Sequence, residues 1–226
     1  MMMWHPQDED ILRLPAPLLA QDEEGDEDDD DEEDEEEEPR GEEDEKLSEK
    51  VLKTRTILVS EAISDELARK VYQQLLVLEA ESVEKPITVL INSPGGEADS
   101  GFGIYDMLRF VQAPVHTIVA GLCASAAVMV FLAGAKGYRL SLPNSRFLLH
   151  QPSSQSFGQA ADLKIASEEI LKLRARYNRI VAEVTGKDVD TIFHDADRDF
   201  WLGAGEAAEY GLVDRVITKR AEVDHR

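Results

Sequence analysis

The fold is decided by PITVLINSPGG, residues 86–96. Positions Ile87 to Ile91 are apolar almost without interruption, which is typical of a strand covered on both faces of a sheet. A turn at Ser93–Gly96 ends this strand, and the residues from Asp99 to Val111 predict a helix directly after it. This part of the chain therefore forms one unit of strand, turn and helix.

The same unit occurs on both sides of this stretch. Upstream, residues 54–59 predict a short strand and Ser64 begins an amphipathic helix that runs to about Glu79. Downstream, a strand at 114–120, a turn at 121–124 and a helix at 125–133 follow. Three such units in succession predict an α/β fold with a largely parallel sheet.

Most of the negative charge lies in one N-terminal segment. Residues 22–45 contain 20 of the 47 acidic residues and one basic residue, Arg40. The segment has no aromatic or β-branched residue, so it buries too little apolar surface to offset the entropy of ordering it. We therefore predict a disordered acidic tail at 1–46, a compact domain at 47–219 and a short tail at 220–226. This charge argues against nucleic acid as a partner, because phosphate binding needs a basic surface.

Cysteine content and apolar runs bear on the compartment. Cys123 is the single cysteine, which excludes an intramolecular disulfide and fits a reducing compartment. Residues 118–134 form an uncharged run close to the lower limit for a membrane span. A buried strand leading into a buried helix explains this run better than a membrane span does. The N-terminus has no secretory signal pattern, so we predict a cytoplasmic protein without a membrane partner.

A long helix is predicted at about 159–184. A span of 26 residues is roughly 39 Å long, which is difficult to cover within a domain of this size. Either the helix projects and packs against another subunit, or its apolar stripe is buried in its own core. The stripe consists of Leu163, Ala166, Ile170, Leu173, Tyr177, Ile180 and Val184.

Ser125 is the candidate nucleophile. In α/β folds, sites form at the carboxyl ends of strands, and Ser125 follows such an end at the start of an apolar helix. Unpaired N–H groups at a helix start favour developing negative charge, which suits acyl transfer. The alternative is that Ser125 only caps the helix.

A nucleophilic serine needs a base and an acid that orients the base. His150 is the best placed of the five histidines because it closes an apolar strand, although a histidine at a strand end can also be purely structural. Three aspartates, at 195, 197 and 199, are candidates for the acid. Asp199 directly precedes the apolar residues 200–202, so its side chain is expected to be buried beside them. Asp195 and Asp197 are expected to be solvated.

Several motifs together resemble the Clp protease proteolytic subunit over about Arg55 to Ile217. They are Ile91–Gly96, Ala124–Ser125, Leu142–Arg146, His150–Pro152, Arg198–Asp199 and Tyr210–Asp214. The resemblance implies that Ser125 is the nucleophile, His150 the base and Asp199 the orienting acid. It also implies that the N–H groups of Gly96 and Ala126 form the oxyanion hole, and that Arg198 takes part in contacts between rings.

The resemblance further implies a crotonase-like fold of repeated β-β-α units with the long helix as a projecting handle. It implies two stacked heptameric rings around a sealed chamber, built from this chain or with related Clp subunits. Unfolded proteins and peptides are the implied substrates and an AAA+ unfoldase ATPase the implied partner, with no cofactor and no metal.

The chain departs from the family pattern in two places, and there the resemblance implies less about function. Only residues 47–54 stand between the acidic tail and the first strand, where the family has an axial loop and a short helix that contact the ATPase. The resemblance therefore does not imply that this chain docks to an ATPase. Ser153–Gln155 replaces glycine-rich residues beside the substrate, so cleavage preference can differ. The acidic tail is either a solubilising or cleaved segment or an electrostatic gate near the pore.

Two other functions remain open on the sequence. One is a non-catalytic structural subunit in a mixed Clp ring, and the other is an acyl-CoA enzyme of the crotonase type. Both would share the fold, but neither needs the complete set of Ser125, His150 and Asp199.

Overall fold

The computed structural model describes residues 40–152 and 157–223, with the side chains of residues 40–45 left out of the description. These residues form helices and strands in the order α1 (Arg40–Leu52), β1 (Thr56–Val59), α2 (Asp65–Glu81), β2 (Ile87–Ser93), α3 (Ala98–Phe110), β3 (Val115–Ala124), α4 (Ala126–Leu132), β4 (Arg139–Ser141), β5 (Arg146–Leu149), α5 (Ala160–Thr185), α6 (Val189–Asp195), β6 (Phe200–Gly203), α7 (Ala204–Tyr210) and β7 (Arg215–Val216), followed by a 3₁₀ helix at Arg220–Glu222.

The sheet is largely parallel, as predicted. Strands β1, β2, β3, β4 and β7 lie side by side in this order and all run parallel. Strand β5 pairs in parallel with the second half of β3, and β6 pairs with β5 in the antiparallel direction. The carboxyl ends of β2 and β3 therefore meet at one edge, where the site lies.

Strand β3 is longer than the sequence predicts. Residues 121–124, predicted as a turn, continue the strand to Ala124. Gly121 has φ +113° and allows the strand to bend, so that its first half pairs with β4 and its second half with β5. The Asn92 side chain accepts a hydrogen bond from Leu122 N at 2.9 Å and stabilises this bend. The extension carries the chain directly to Ser125.

The core lies between the sheet and helices α2, α3 and α4. All seven residues of α4 are buried, as are most of those in the first half of β3. The run at 118–134 thus forms the end of a buried strand and a buried helix, as the sequence analysis favours. Among the described residues, none of the helices is long and apolar enough to cross a membrane.

The ends of the domain differ from the predicted boundaries. Helix α1 begins at Arg40, inside the segment assigned to the tail, and Leu52 packs on the core. Its Glu, Lys and Leu residues are good helix formers, which explains the helix despite the charge. A helix therefore does precede the first strand, contrary to expectation. The remaining tail residues, 1–39, lie outside the described residues.

The C-terminal residues are also more structured than predicted. The 3₁₀ helix lies in the segment assigned to the short tail, and its Glu222 side chain accepts hydrogen bonds from Thr218 and Lys219. Val223 packs on a small cluster that includes Ile217. Residues 224–226 lie outside the described residues.

Helix α5 projects from the domain, as predicted for the handle helix. Its buried residues all fall between Arg174 and Ala182, whereas the residues from Ala160 to Lys172 are exposed or partly exposed. Large apolar side chains on this half, Ile165 and Leu171, are about 60% exposed (59% and 60%). The helix ends at Gly186, which has the left-handed φ of +72°.

Candidate active site

Ser125 adopts a strained backbone conformation between β3 and α4. Its φ of 55° and ψ of −124° are unusual for a residue with a side chain. Its N–H donates to Leu148 O at 2.9 Å, which ties it to β5. Ser125 occupies the N-cap position of α4, but its side chain makes no capping hydrogen bond to the helix. Such strain persists mainly where the surrounding structure maintains it, often at functional sites.

The glycine turn after β2 lies directly against Ser125. A Cβ atom on Gly95 would lie 2.7 Å from Ser125 Cβ and 2.5 Å from Ala124 O, so only glycine permits this approach. Ser93 fixes the turn, since its Oγ donates to Glu61 O at 2.6 Å and accepts from Gly95 N at 3.2 Å. The Ser93–Gly96 turn and the end of β3 are therefore in contact.

Two backbone amides beside Ser125 have no acceptor in the described part of the chain. Within the described part of the chain, the N–H groups of Gly96 and Ala126 donate no hydrogen bond. Gly96 has φ +152° and lies against Ile63. Unpaired amides next to a serine hydroxyl are what an oxyanion hole requires.

Ser125 and His150 line the same cleft, which has a volume of about 430 Å³. Gly96 and Ala126 also lie on its wall. Its other surfaces come mainly from apolar residues on α3, α4 and α5, including Phe102, Met129, Ile170, Leu173 and Tyr177. The cleft can therefore hold an apolar side chain close to the serine hydroxyl.

His150 and Asp199, the predicted base and its orienting acid, lie near each other but are not hydrogen-bonded. The distance from His150 Nδ1 to Asp199 Oδ1 is 3.8 Å, which exceeds a hydrogen bond. Among the described residues, Ser125 Oγ makes no hydrogen bond to His150. Catalytic hydrogen bonds are often long in a ligand-free enzyme and shorten in the substrate complex.

The expected burial of the acidic residues is wrong in part. The Asp199 side chain is 66% exposed, because β6 begins at Phe200 on the edge of the sheet and leaves Asp199 outside it. Asp195 and Asp197 are not simply solvated, since Asp195 accepts from the Tyr210 hydroxyl at 2.7 Å and Asp197 pairs with Arg174. This hydrogen bond, together with burial as the larger cause, raises the pKa of Tyr210.

Cys123 does not compete with Ser125 as a nucleophile. Its side chain is fully buried and burial raises the pKa of its thiol well above the ordinary value. A neutral, enclosed thiol is inert, since the thiolate is the nucleophilic form.

Arg198 lies between Asp197 and Asp199 and is exposed. It makes no hydrogen bond or ion pair with the described residues. The residues that the structure describes therefore leave its guanidinium available for a contact with another subunit.

Comparison with protein-family models shows which family this chain belongs to. The family model described as Clp protease matches residues 39–220, which is most of the chain. The chain belongs to the Clp protease family. It is accordingly a serine-type peptidase subunit with a mixed α/β fold of the Clp type.

Curated Clp relatives match over nearly their whole length. The chain is 48% identical over 185 residues to the ATP-dependent Clp protease proteolytic subunit 3 of Rhizobium meliloti, covering 82% of this chain and 93% of that protein. It is 44% identical over 184 residues to subunit 2 of Treponema denticola, covering 81% and 92%. A solved structure of a ClpP1 variant from Listeria monocytogenes is 41% identical, with a TM-score of 0.73, and covers 79% of this chain and 99% of that chain.

Some residues at the Clp site were not identified from the sequence. Met129 lines the cleft and lies four positions after Ser125, so helical spacing could have indicated it. Arg174 and Gln151 contact the segment that carries Asp199. Gln151 falls within the His150–Pro152 motif, but no local pattern indicates either contact, because the shared partner Asp197 is distant along the chain.

Gly96→Ala is expected to reduce peptidase activity at least 100-fold. Its Cβ would lie 2.2 Å from Ile63 O, so the turn must move and the amide leaves its position. Losing one oxyanion donor alone costs about 2.7–4 kcal/mol of barrier. Peptide hydrolysis by variant particles of normal size measures this loss. Gly205→Ala, where a Cβ meets no other atom, is the matched control. Normal activity in Gly96→Ala would contradict the assignment.

Proposed function

We propose that this chain hydrolyses unfolded polypeptides as the endopeptidase subunit of a self-compartmentalised protease, with Ser125 as nucleophile, His150 as general base and Asp199 as the acid that orients it. The observation that carries the proposal is the strained Ser125 on a cleft shared with His150, beside two amides that donate no hydrogen bond to the described residues.

The proposed reaction follows from these positions. Ser125 Oγ attacks the peptide carbonyl while His150 accepts its proton, and the negative oxygen binds the N–H groups of Gly96 and Ala126. His150 then donates the proton to the leaving amine, and water hydrolyses the acyl-enzyme by the reverse proton path. Asp199 stabilises the charged imidazole once the 3.8 Å separation closes to hydrogen-bond distance.

Membership of the Clp family implies assembly into an oligomeric barrel. We propose two stacked heptameric rings, of this chain alone or with related Clp subunits, joined by the exposed half of α5 and by Arg198. The exposed apolar side chains of α5 support this role, because such surfaces are usually covered in an assembly.

The remaining proposals concern partner and compartment. Helix α1 lies before the first strand, where the family has a short helix that contacts the ATPase. Its presence supports an AAA+ unfoldase as partner. The lone buried Cys123 is compatible with the cytoplasm, where thiols stay reduced.

Labelling with a fluorophosphonate probe tests the proposed function. The purified full-length chain is separated by size and the fractions are labelled and assayed with a fluorogenic peptide. We expect a particle near fourteen subunits to be labelled and active, and Ser125→Ala to lose both properties at unchanged size. An assembled particle that takes no label would instead indicate a structural subunit. Labelling that persists in Ser125→Ala would exclude Ser125 as the nucleophile.

A further inference from the structure

A buried arginine of the handle contacts the segment that carries the catalytic acid. Arg174 lies on α5 and is 8% exposed. One guanidinium nitrogen donates to Asp197 Oδ1 at 2.9 Å and to Phe193 O at 3.2 Å. The guanidinium also stacks on the Phe193 ring at 3.6 Å from its centroid. Arg174 therefore holds both the end of α6 and the turn that precedes Asp199.

The same turn is held from the side of the catalytic base. Gln151, the residue after His150, donates its side-chain amide to Asp197 O at 2.9 Å. Asp197 is thus bound through its carboxylate by α5 and through its carbonyl by the segment that carries His150. His150 and Asp199 are each within two residues of one end of this connection.

The geometry of the catalytic pair makes this connection important. His150 Nδ1 and Asp199 Oδ1 are 3.8 Å apart, so a shift of about 1 Å decides whether they form a hydrogen bond. Displacements of this size change rates by about 100-fold. The Asp199 side chain is 66% exposed and makes no hydrogen bond with the described residues; its one charged partner among them is His150, at 3.8 Å.

We infer that Arg174 is a positioning residue for the catalytic pair: through Asp197, with Gln151 as the second link, it sets the distance between His150 and Asp199. The inference rests on the proposed function of these two residues. It assigns to the base of the handle a role inside the subunit, separate from contact between rings.

The guanidinium is better suited to this role than an ammonium group. Both hydrogen bonds come from the same guanidinium nitrogen, so the feature that lysine does not reproduce is the flat guanidinium stacked on the Phe193 ring. Lysine at this position would keep the attraction to Asp197 and lose the stacking on Phe193. Arg174→Lys is therefore expected to restore part of the activity that Arg174→Met loses.

Steady-state kinetics of assembled particles test the inference. Arg174→Met is expected to lower kcat about 10- to 100-fold with KM within twofold, because the substrate cleft is untouched. Arg174→Lys should be intermediate. Arg179→Met, which removes an exposed arginine from the same helix, is the matched control and should stay within twofold. An unchanged kcat in Arg174→Met would overturn the inference.

A double-mutant comparison separates positioning from general damage. In an Asp199→Asn background, adding Arg174→Met should cause no further loss in the rate at which a fluorophosphonate labels Ser125. An equal, additive loss in both backgrounds would show that Arg174 does not act through Asp199.

A second variant keeps the test decisive if Arg174→Met does not assemble. Gln151→Met removes the other link and leaves Arg174 in place, and it should show the same loss and the same dependence on Asp199. A normal rate in Gln151→Met and Arg174→Lys particles would overturn the inference. Failure of the proposed function is distinguishable, since Ser125→Ala would then remain active.

Discussion

His150→Ala is expected to lower kcat for peptide hydrolysis by roughly 10⁶-fold, the size of the loss found when the histidine of a serine triad is removed. Without the imidazole, the Ser125 hydroxyl has no proton acceptor and the leaving amine has no proton donor. The His150 side chain is 29% exposed at the edge of the cleft, so its removal leaves no large cavity in the core. The loss should therefore appear in chemistry and not in folding.

The measurement is hydrolysis of a fluorogenic peptide by particles whose size matches the wild type. His194→Ala removes an exposed histidine from α6 and serves as the control, with activity expected within twofold of wild type. A loss below tenfold in His150→Ala would mean that another group accepts the Ser125 proton, and the triad assignment would have to be abandoned.

Asp214→Asn is expected to give the largest loss of stability. Asp214 and Arg139 form an ion pair at 2.5 Å with side chains 17% and 8% exposed, and it connects β4 to the chain just before β7. Asp214 also accepts hydrogen bonds from the N–H groups of Gly137 and Arg139. Removing one partner of a buried pair leaves a buried charge without compensation and costs about 3–5 kcal/mol.

The effect should depend on pH in a defined direction. Burial raises the pKa of Asp214, but the hydrogen bonds and charge of Arg139 outweigh it and hold the pKa below its ordinary value. The contribution of a carboxylate with a lowered pKa is complete above the pKa of the unfolded chain, about 3.9, and is lost as the pH falls through the pKa of the folded state. The difference between wild type and Asp214→Asn should therefore be full at pH 7 and shrink below about pH 4.

Thermal unfolding at one fixed protein concentration measures this difference, because assembly couples stability to concentration. Glu66→Gln is the matched control, since Glu66 forms an exposed ion pair with Lys70 at 3.0 Å on α2. We expect no measurable shift of its unfolding midpoint, because solvent screens exposed pairs. A midpoint for Asp214→Asn equal to that of wild type at pH 7 would refute the assigned role.

The units of strand and helix could be predicted from the sequence because their signals are local. The apolar run at Ile87–Ile91, the cap at Ser64 and the spacing of α5 each depend on neighbours within a few residues. The motifs around Ser125, His150 and Asp199 indicated the family for a similar reason, since each is a short continuous segment. Strand β6 was missed because its single partner, β5, lies about fifty residues earlier.

Local patterns in the sequence were enough to predict most of the strands and helices and the length of α5, and the family motifs marked Ser125, His150 and Asp199 as the candidate triad. Only the folded chain shows that Asp199 is exposed, that two amides beside Ser125 donate no hydrogen bond to the described residues and that Arg174 binds Asp197. The spacing of apolar residues indicates which face of a segment is buried, but it carries no information about which distant segment packs beside it. Side-chain pairing across the sheet edge and the base of α5 depends on that long-range packing, so only the folded chain could show it.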